Sequence, residues 1–168
     1  MRIADRGLVQ AKWTNEILDE CFEAIRRTRT DLDERALDRT RTLMAKTVPD
    51  ALVVGYEGLV AGLDLPDPKD RHVLAAAIRS AAQTIVTRNL TDFPTDRLSP
   101  YGVRAQDPDE FVLGLLNLHE AAVPRIVVEQ AADLKHPPRS VEDVLATLEQ
   151  NGLTRSAAEL RATLGTSG

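Results

Sequence analysis

The thirty residues from Leu65 to Pro94, LPDPKDRHVLAAAIRSAAQTIVTRNLTDFP, constrain this chain more than any other stretch. Pro66 and Pro68 disfavour helix in the residues before them and an Asp suits a helix cap, so a helix is predicted to begin near Asp70. Val73, Leu74, Ala77 and Ile78 then recur with the spacing of an amphipathic helix packed on a sheet, and the alanines between them permit close approach. Thr84-Ile85-Val86-Thr87 reads as a short, fully buried strand, with Asn89 to Pro94 as the loop leaving its carboxyl end. Ligands of open parallel sheets bind beyond the carboxyl ends of strands. The unit therefore carries an acid at each end, Asp70 and Asp92, and on its exit loop the polar residues Thr87 and Asn89. Two acids so placed can share a metal ion.

Punctuation organises the rest of the chain. Thr14 or Asn15 is expected to cap a helix carrying Ile17, Leu18, Cys21, Phe22 and Ile25, and Asp31 or Asp33 a second helix through Leu37, Leu43 and Met44, ended by Pro49. Ala51-Leu52-Val53-Val54 is a further buried-strand candidate, followed by a short helical passage from Tyr56 to Leu63. With Val103 to Gln106 as another strand, helices and strands alternate, which predicts an α/β fold with a parallel sheet flanked by helices. After Leu118 the character changes. Ile126-Val127-Val128 fits helix or extended chain equally, Pro137-Pro138 makes a break, and Ser140 to Asp143 resembles a capping box. Asn151-Gly152 should stop that helix, and Thr154 or Ser156 should cap a last one through Leu160 and Leu164. Two parts are expected, residues 1–118 and a C-terminal helical extension over 119–168.

Charge narrows the function classes only a little. The formal charge of −5 argues against broad electrostatic affinity for nucleic acid, but the acidic excess lies after Gln106, leaving the earlier part balanced. Arg26, Arg27, Arg29, Arg35, Arg39, Arg41 and Lys46 cluster between the first two long helices. Asp31, Asp33, Glu34 and Asp38 interleave with them, so the cluster reads as a solvated helical surface. No apolar run approaches the roughly 20 residues that cross a bilayer, and no signal peptide is visible after Met1, so neither membrane attachment nor export is expected. The single Cys21 reads as a buried thiol in a reducing cytoplasm. His72, His119 and His136 lack zinc-ligand spacing, and His72 is expected to be structural or exposed.

Several of these segments together carry a family resemblance. Asp70 before Leu74-Ala75-Ala76-Ala77, and Ile85 to Phe93 with Asp92, resemble the two acidic motifs of the PIN-domain nucleases, particularly the VapC-type toxins of bacterial toxin and antitoxin pairs. Trp13 to Glu20 is similar to the helix carrying that family's second acid, placed at Glu20, and Tyr101 to Gln106 is similar to its last strand, before a helix from Asp107 or Asp109. The resemblance implies a metal-dependent endoribonuclease using Mg2+ or Mn2+, with Asp70, Glu20 and Asp92 as metal ligands or water-orienting groups and Asn89 and Thr87 as hydrogen-bonding residues. It further implies an RNA substrate, a cognate antitoxin partner, a cytoplasmic location and, in common with many relatives, a homodimer.

One element of the family pattern is not found in the sequence. A central strand ending in an acid should come first, yet Met1 to Leu8 reads as the helix after it, and Asp5 is not given that role. The expectation is a start codon further upstream or a truncated gene, the latter implying a noncatalytic protein that keeps the antitoxin-binding surface. Outside the family pattern the same residues have plainer explanations. Asp70 would be a helix cap, Asp92 and Asn89 turn residues, and Glu20 a solvent-facing glutamate.

Overall fold

The computed structural model describes residues 2–29, 33–135 and 137–165, so Asp31 and His136 lie outside the described residues. The chain divides into two compact units, Met1–Ile85 with Asn89–Ala105, and Val86–Arg88 with Gln106–Gly168.

In the first unit a short α1 (Arg2–Asp5) precedes α2 (Asn15–Thr28) and α3 (Glu34–Thr47). Thr14 caps α2, its Oγ1 accepting from Ile17 N–H at 3.0 Å, and Asp33 caps α3, accepting from Arg35 N–H at 3.1 Å. Both helices bury only a stripe: Leu18, Phe22 and Leu37 pack with Trp13 and Ala51 as one small core. Cys21 lies roughly 60° from Leu18 at 100° per residue, at the edge of that stripe, and is exposed rather than buried.

The strand expected at Ala51 to Val54 does not form as such. Pro49–Ala51 makes a 3-10 turn, and beyond it Leu52 forms only an isolated parallel bridge with Trp13. The bridge is real but short, with Trp13 N–H donating to Ala51 O at 2.9 Å and Val53 N–H to Trp13 O at 2.8 Å. Ala51 and Val53 point inward while Leu52 and Val54 are exposed, so the segment alternates instead of being buried on both faces.

The main core of this unit gathers around α4 (Glu57–Val60) and α5 (Arg71–Arg79). Leu74, Ala75, Ala76 and Ala77 of α5 are buried together with Val53, Tyr56, Leu63, Leu65, Ile85, Phe93, Leu98 and Val103. The strand β1 (Thr84–Val86), the short α6 (Thr95–Leu98) and β2 (Arg104–Gln106) follow. β1 and β2 pair in parallel as a two-stranded sheet. Ile85 is buried but Val86 is 44% exposed, so β1 is covered on one face and not on both.

The second unit is helical, with α7 (Pro108–Leu118), α8 (Ala122–Asp133), α9 (Val141–Gln150) and α10 (Thr154–Gly165). Ile126-Val127-Val128 is therefore helix. Ser140 and Asp143 close the expected capping box on α9, and Gly152, at φ +79°, ends it in a left-handed conformation that suits glycine. The cap on α10 comes from a distant residue, not from Thr154 or Ser156: Asp109 of α7 accepts from Arg155 N–H at 3.0 Å and from Ser156 N–H at 2.8 Å. The Ser156 hydroxyl donates back to the Asp109 carbonyl at 3.1 Å. Among the described residues no single helix is long and apolar enough to cross a membrane; α7 and α8 reach that length only together and are bent by 112° at their junction.

Candidate active site

The acidic residues singled out in the sequence sit on three local structures of the first unit. α2 presents Glu16 and Glu20 one turn apart, hence on one face. Before α5 the chain makes a 3-10 turn, Pro68–Asp70, whose cap is Asp67, accepting from Lys69 N–H at 2.9 Å. Asp70 occupies the cap position of α5 but its side chain makes no capping hydrogen bond. The plain explanation of Asp70 as a side-chain cap of α5 is thereby removed; Asp67 caps only the 3-10 turn before it. Asp92 closes a second 3-10 turn, Leu90–Asp92. There the Asn89 amide donates to the Asp92 carboxylate, and Thr91 Oγ1 donates to Asn89 Oδ1 at 2.9 Å. Asn89 thus orients Asp92. Thr87 belongs to the second unit, where its backbone N–H donates to Gln106 O at 3.0 Å.

Electrostatics ties the acids together. Partial burial, and then the carboxylates of Asp67, Asp92 and Glu20, push the Asp70 carboxyl above its ordinary pKa, with His72 pulling the other way. Asp64 stands apart from this group, since it is ion-paired with Arg97 and lies 3.8 Å from Arg71.

Sequence reasoning missed three residues here. His72, expected to be structural or exposed, is 4% exposed, with Nδ1 3.5 Å from a Glu16 carboxylate oxygen and Nε2 3.4 Å from one of Glu20. The buried Tyr56 hydroxyl donates to the same Glu16 oxygen at 3.1 Å. Glu16 and Glu20 at one-turn spacing were visible in the sequence; that a histidine and a tyrosine from other elements would meet them was not.

The donor set is one of carboxylate oxygens, which hard divalent cations prefer, and a cation would relieve the repulsion that raises Asp70. Among the described residues no three His, Cys, Asp or Glu side chains close on a single point that would hold a metal ion. The donor chemistry fits such an ion, and the acids share a field without converging on one coordination centre.

Residues 1–91 match the family model described as PIN domain, and residues 108–162 match that described as VapC50 C-terminal domain. A protein of Mycobacterium tuberculosis (strain ATCC 25618 / H37Rv) named "Putative ribonuclease VapC50" is 41% identical over 98 residues. That stretch is 58% of this chain and 57% of the relative. No solved structure matches the chain.

Proposed function

For this chain, which belongs to the PIN-domain family, we propose the activity of a divalent-cation-dependent endoribonuclease that serves as the toxin of a toxin and antitoxin pair. The observation that carries the reading is the state of Asp70: a carboxylate that caps nothing, partly withdrawn from water, in the field of Glu20 and Asp92. A fold gains nothing from such crowding, and perturbed groups of this kind mark functional sites. RNA as substrate is carried over from the relative's name as a ribonuclease.

In this reading Asp70, Glu20 and Asp92 hold Mg2+ or Mn2+. When bound, the ion activates water and neutralises charge on the phosphoryl oxygens. Asp70, at the start of α5, is rigidly placed by the buried alanine-rich helix behind it. Asn89 fixes the rotamer of Asp92 through its amide, and Glu20, 58% exposed at its side chain, is free on its outer side to orient a water or accept its proton. The antitoxin segment that silences such a site would bring basic or apolar side chains to these acids, and the toxin reading places the protein in the cytoplasm with its RNA. The division into a catalytic part over 1–118 and a helical extension over 119–168 belongs to the same proposal.

The test is cleavage of a fluorescently labelled RNA by the purified chain with Mn2+, beside Asp70→Asn and Glu20→Gln. Cleavage that needs the ion and disappears in Asp70→Asn supports the reading. Cleavage that is indifferent to chelator, or equal in Asp70→Asn, refutes it.

A further inference from the structure

We propose that His72 is the positioning residue of this acidic site, a buried ring that holds Glu20 in place through Nε2 while Nδ1 rests on Glu16. The inference rests on the metal-dependent reading above and deepens it. Both ring nitrogens are buried from water and neither makes a well-formed hydrogen bond. An ordinary core histidine satisfies its nitrogens with a backbone carbonyl or a hydroxyl, because a buried polar atom without a partner is costly. Here the groups facing the two nitrogens are carboxylates, at 3.5 and 3.4 Å, on the exposed side of α2. At least one ring nitrogen carries N–H in every tautomer, so a donor always faces a carboxylate.

The two carboxylates are not equivalent. Glu16 is held independently, by the hydroxyl of the buried Tyr56, so its place does not depend on the ring. Glu20 instead has His72 Nε2 standing 3.4 Å from its carboxylate. His72 lies in the first turn of α5, two residues after Asp70 at its cap position, so the helix that places Asp70 also places the ring facing Glu20. A Tyr56, Glu16, His72, Glu20 chain therefore runs from the core to the acidic edge. Groups of this kind, touching a metal ligand from behind, keep its orientation when nothing is bound.

Asparagine and glutamine separate the two nitrogens, since the Asn amide nitrogen sits near the place of Nδ1 and the Gln amide nitrogen near that of Nε2. Mn2+ binding to the purified chain, followed by calorimetry and by loss of the free-ion paramagnetic resonance signal, is compared in the wild type, His72→Asn, His72→Gln and Asp70→Asn, with melting curves as the check on folding. His72→Asn is expected to weaken Mn2+ affinity about 10- to 100-fold, and His72→Gln to retain most of it. In parallel, Glu20→Gln, a change at an exposed residue, is expected to move the His72 Nε2 nitrogen-15 resonance of the folded chain. Undiminished Mn2+ affinity in His72→Asn, equal loss in both His72 variants, or an unmoved Nε2 resonance overturns the inference. Failure of the parent reading looks different: a wild type with no Mn2+ binding, or binding that survives Asp70→Asn, which removes both.

Discussion

Replacing Asp109 by alanine should loosen the second unit more than loss of an ordinary helix cap. The Asp109 carboxylate is buried, at 7% exposure, and accepts from the backbone N–H groups of Arg155 and Ser156 at 3.0 and 2.8 Å. Hydrogen bonds to a charged acceptor contribute about 1.5–3 kcal/mol each, and a buried donor left unpaired costs about 1–3 kcal/mol. α10 starts near the surface and water reaches part of its first turn once the carboxylate is gone, so the sum is cut to about 2–4 kcal/mol. An ordinary cap deletion costs about 0.5–2 kcal/mol. Asparagine, which accepts with one oxygen only, should fall in between. Urea unfolding followed by far-ultraviolet circular dichroism measures the loss, and hydrogen exchange at the amides of Arg155 and Ser156 localises it. The pH dependence has a definite sign. Burial raises the carboxyl pKa, but the Ser156 hydroxyl, the two backbone N–H groups and the Arg155 charge outweigh it, leaving Asp109 below its ordinary value. A lowered folded-state pKa means that the stabilisation is complete above the ordinary aspartate range, near 3.9, and drains away as pH falls through the lowered value. The wild type should therefore lose stability on acidification faster than Asp109→Asn. A cost under about 1 kcal/mol for Asp109→Ala, with unchanged exchange at Arg155 and Ser156, would mean that this carboxylate does not hold the start of α10.

Two further outcomes follow from the first unit. Asp70→Asn should raise the melting temperature at neutral pH in the presence of a chelator, by a small amount. The sign is set by the raised pKa: the folded state disfavours the charged carboxylate, so neutralising it stabilises, and the wild type should gain stability as pH falls through the raised value. A lower melting temperature would show that Asp70 is structural after all. Thr14→Ala should cost about 1–2 kcal/mol, because Thr14 is fully buried and its hydroxyl oxygen caps the helix bearing Glu16 and Glu20; chemical denaturation that shows no loss would mean that α2 is held by its packing alone.

Local order was largely legible before the structure. The caps at Thr14 and Asp33, the capping box of Ser140 and Asp143, and the stop at Gly152 all appear where short-range chemistry places them. The alanine face of α5 packs as its spacing predicts. Errors arose where local signals needed a partner. Ala51 to Val54 has strand-like residues, but after Pro49 it found one bridging partner in Trp13 instead of a full ladder. Cys21 lies at the margin of its helical stripe, where periodicity does not decide burial and the neighbouring element does.

The site divides along the same line. Residue types and spacing along one unit, from Asp70 through Asn89 to Asp92, were enough to nominate carboxylates for metal chemistry, because that pattern is written within thirty consecutive residues. The tertiary structure alone decided that Asp70 shares a field with Glu20, and that His72 stands between Glu16 and Glu20. It alone decided that Asp109 caps α10 from another helix. Caps, turns and helical faces depend on neighbours a few residues away, which a sequence states directly. Charge crowding and the partners of buried polar atoms depend on residues tens of positions apart, which become neighbours only when the core closes.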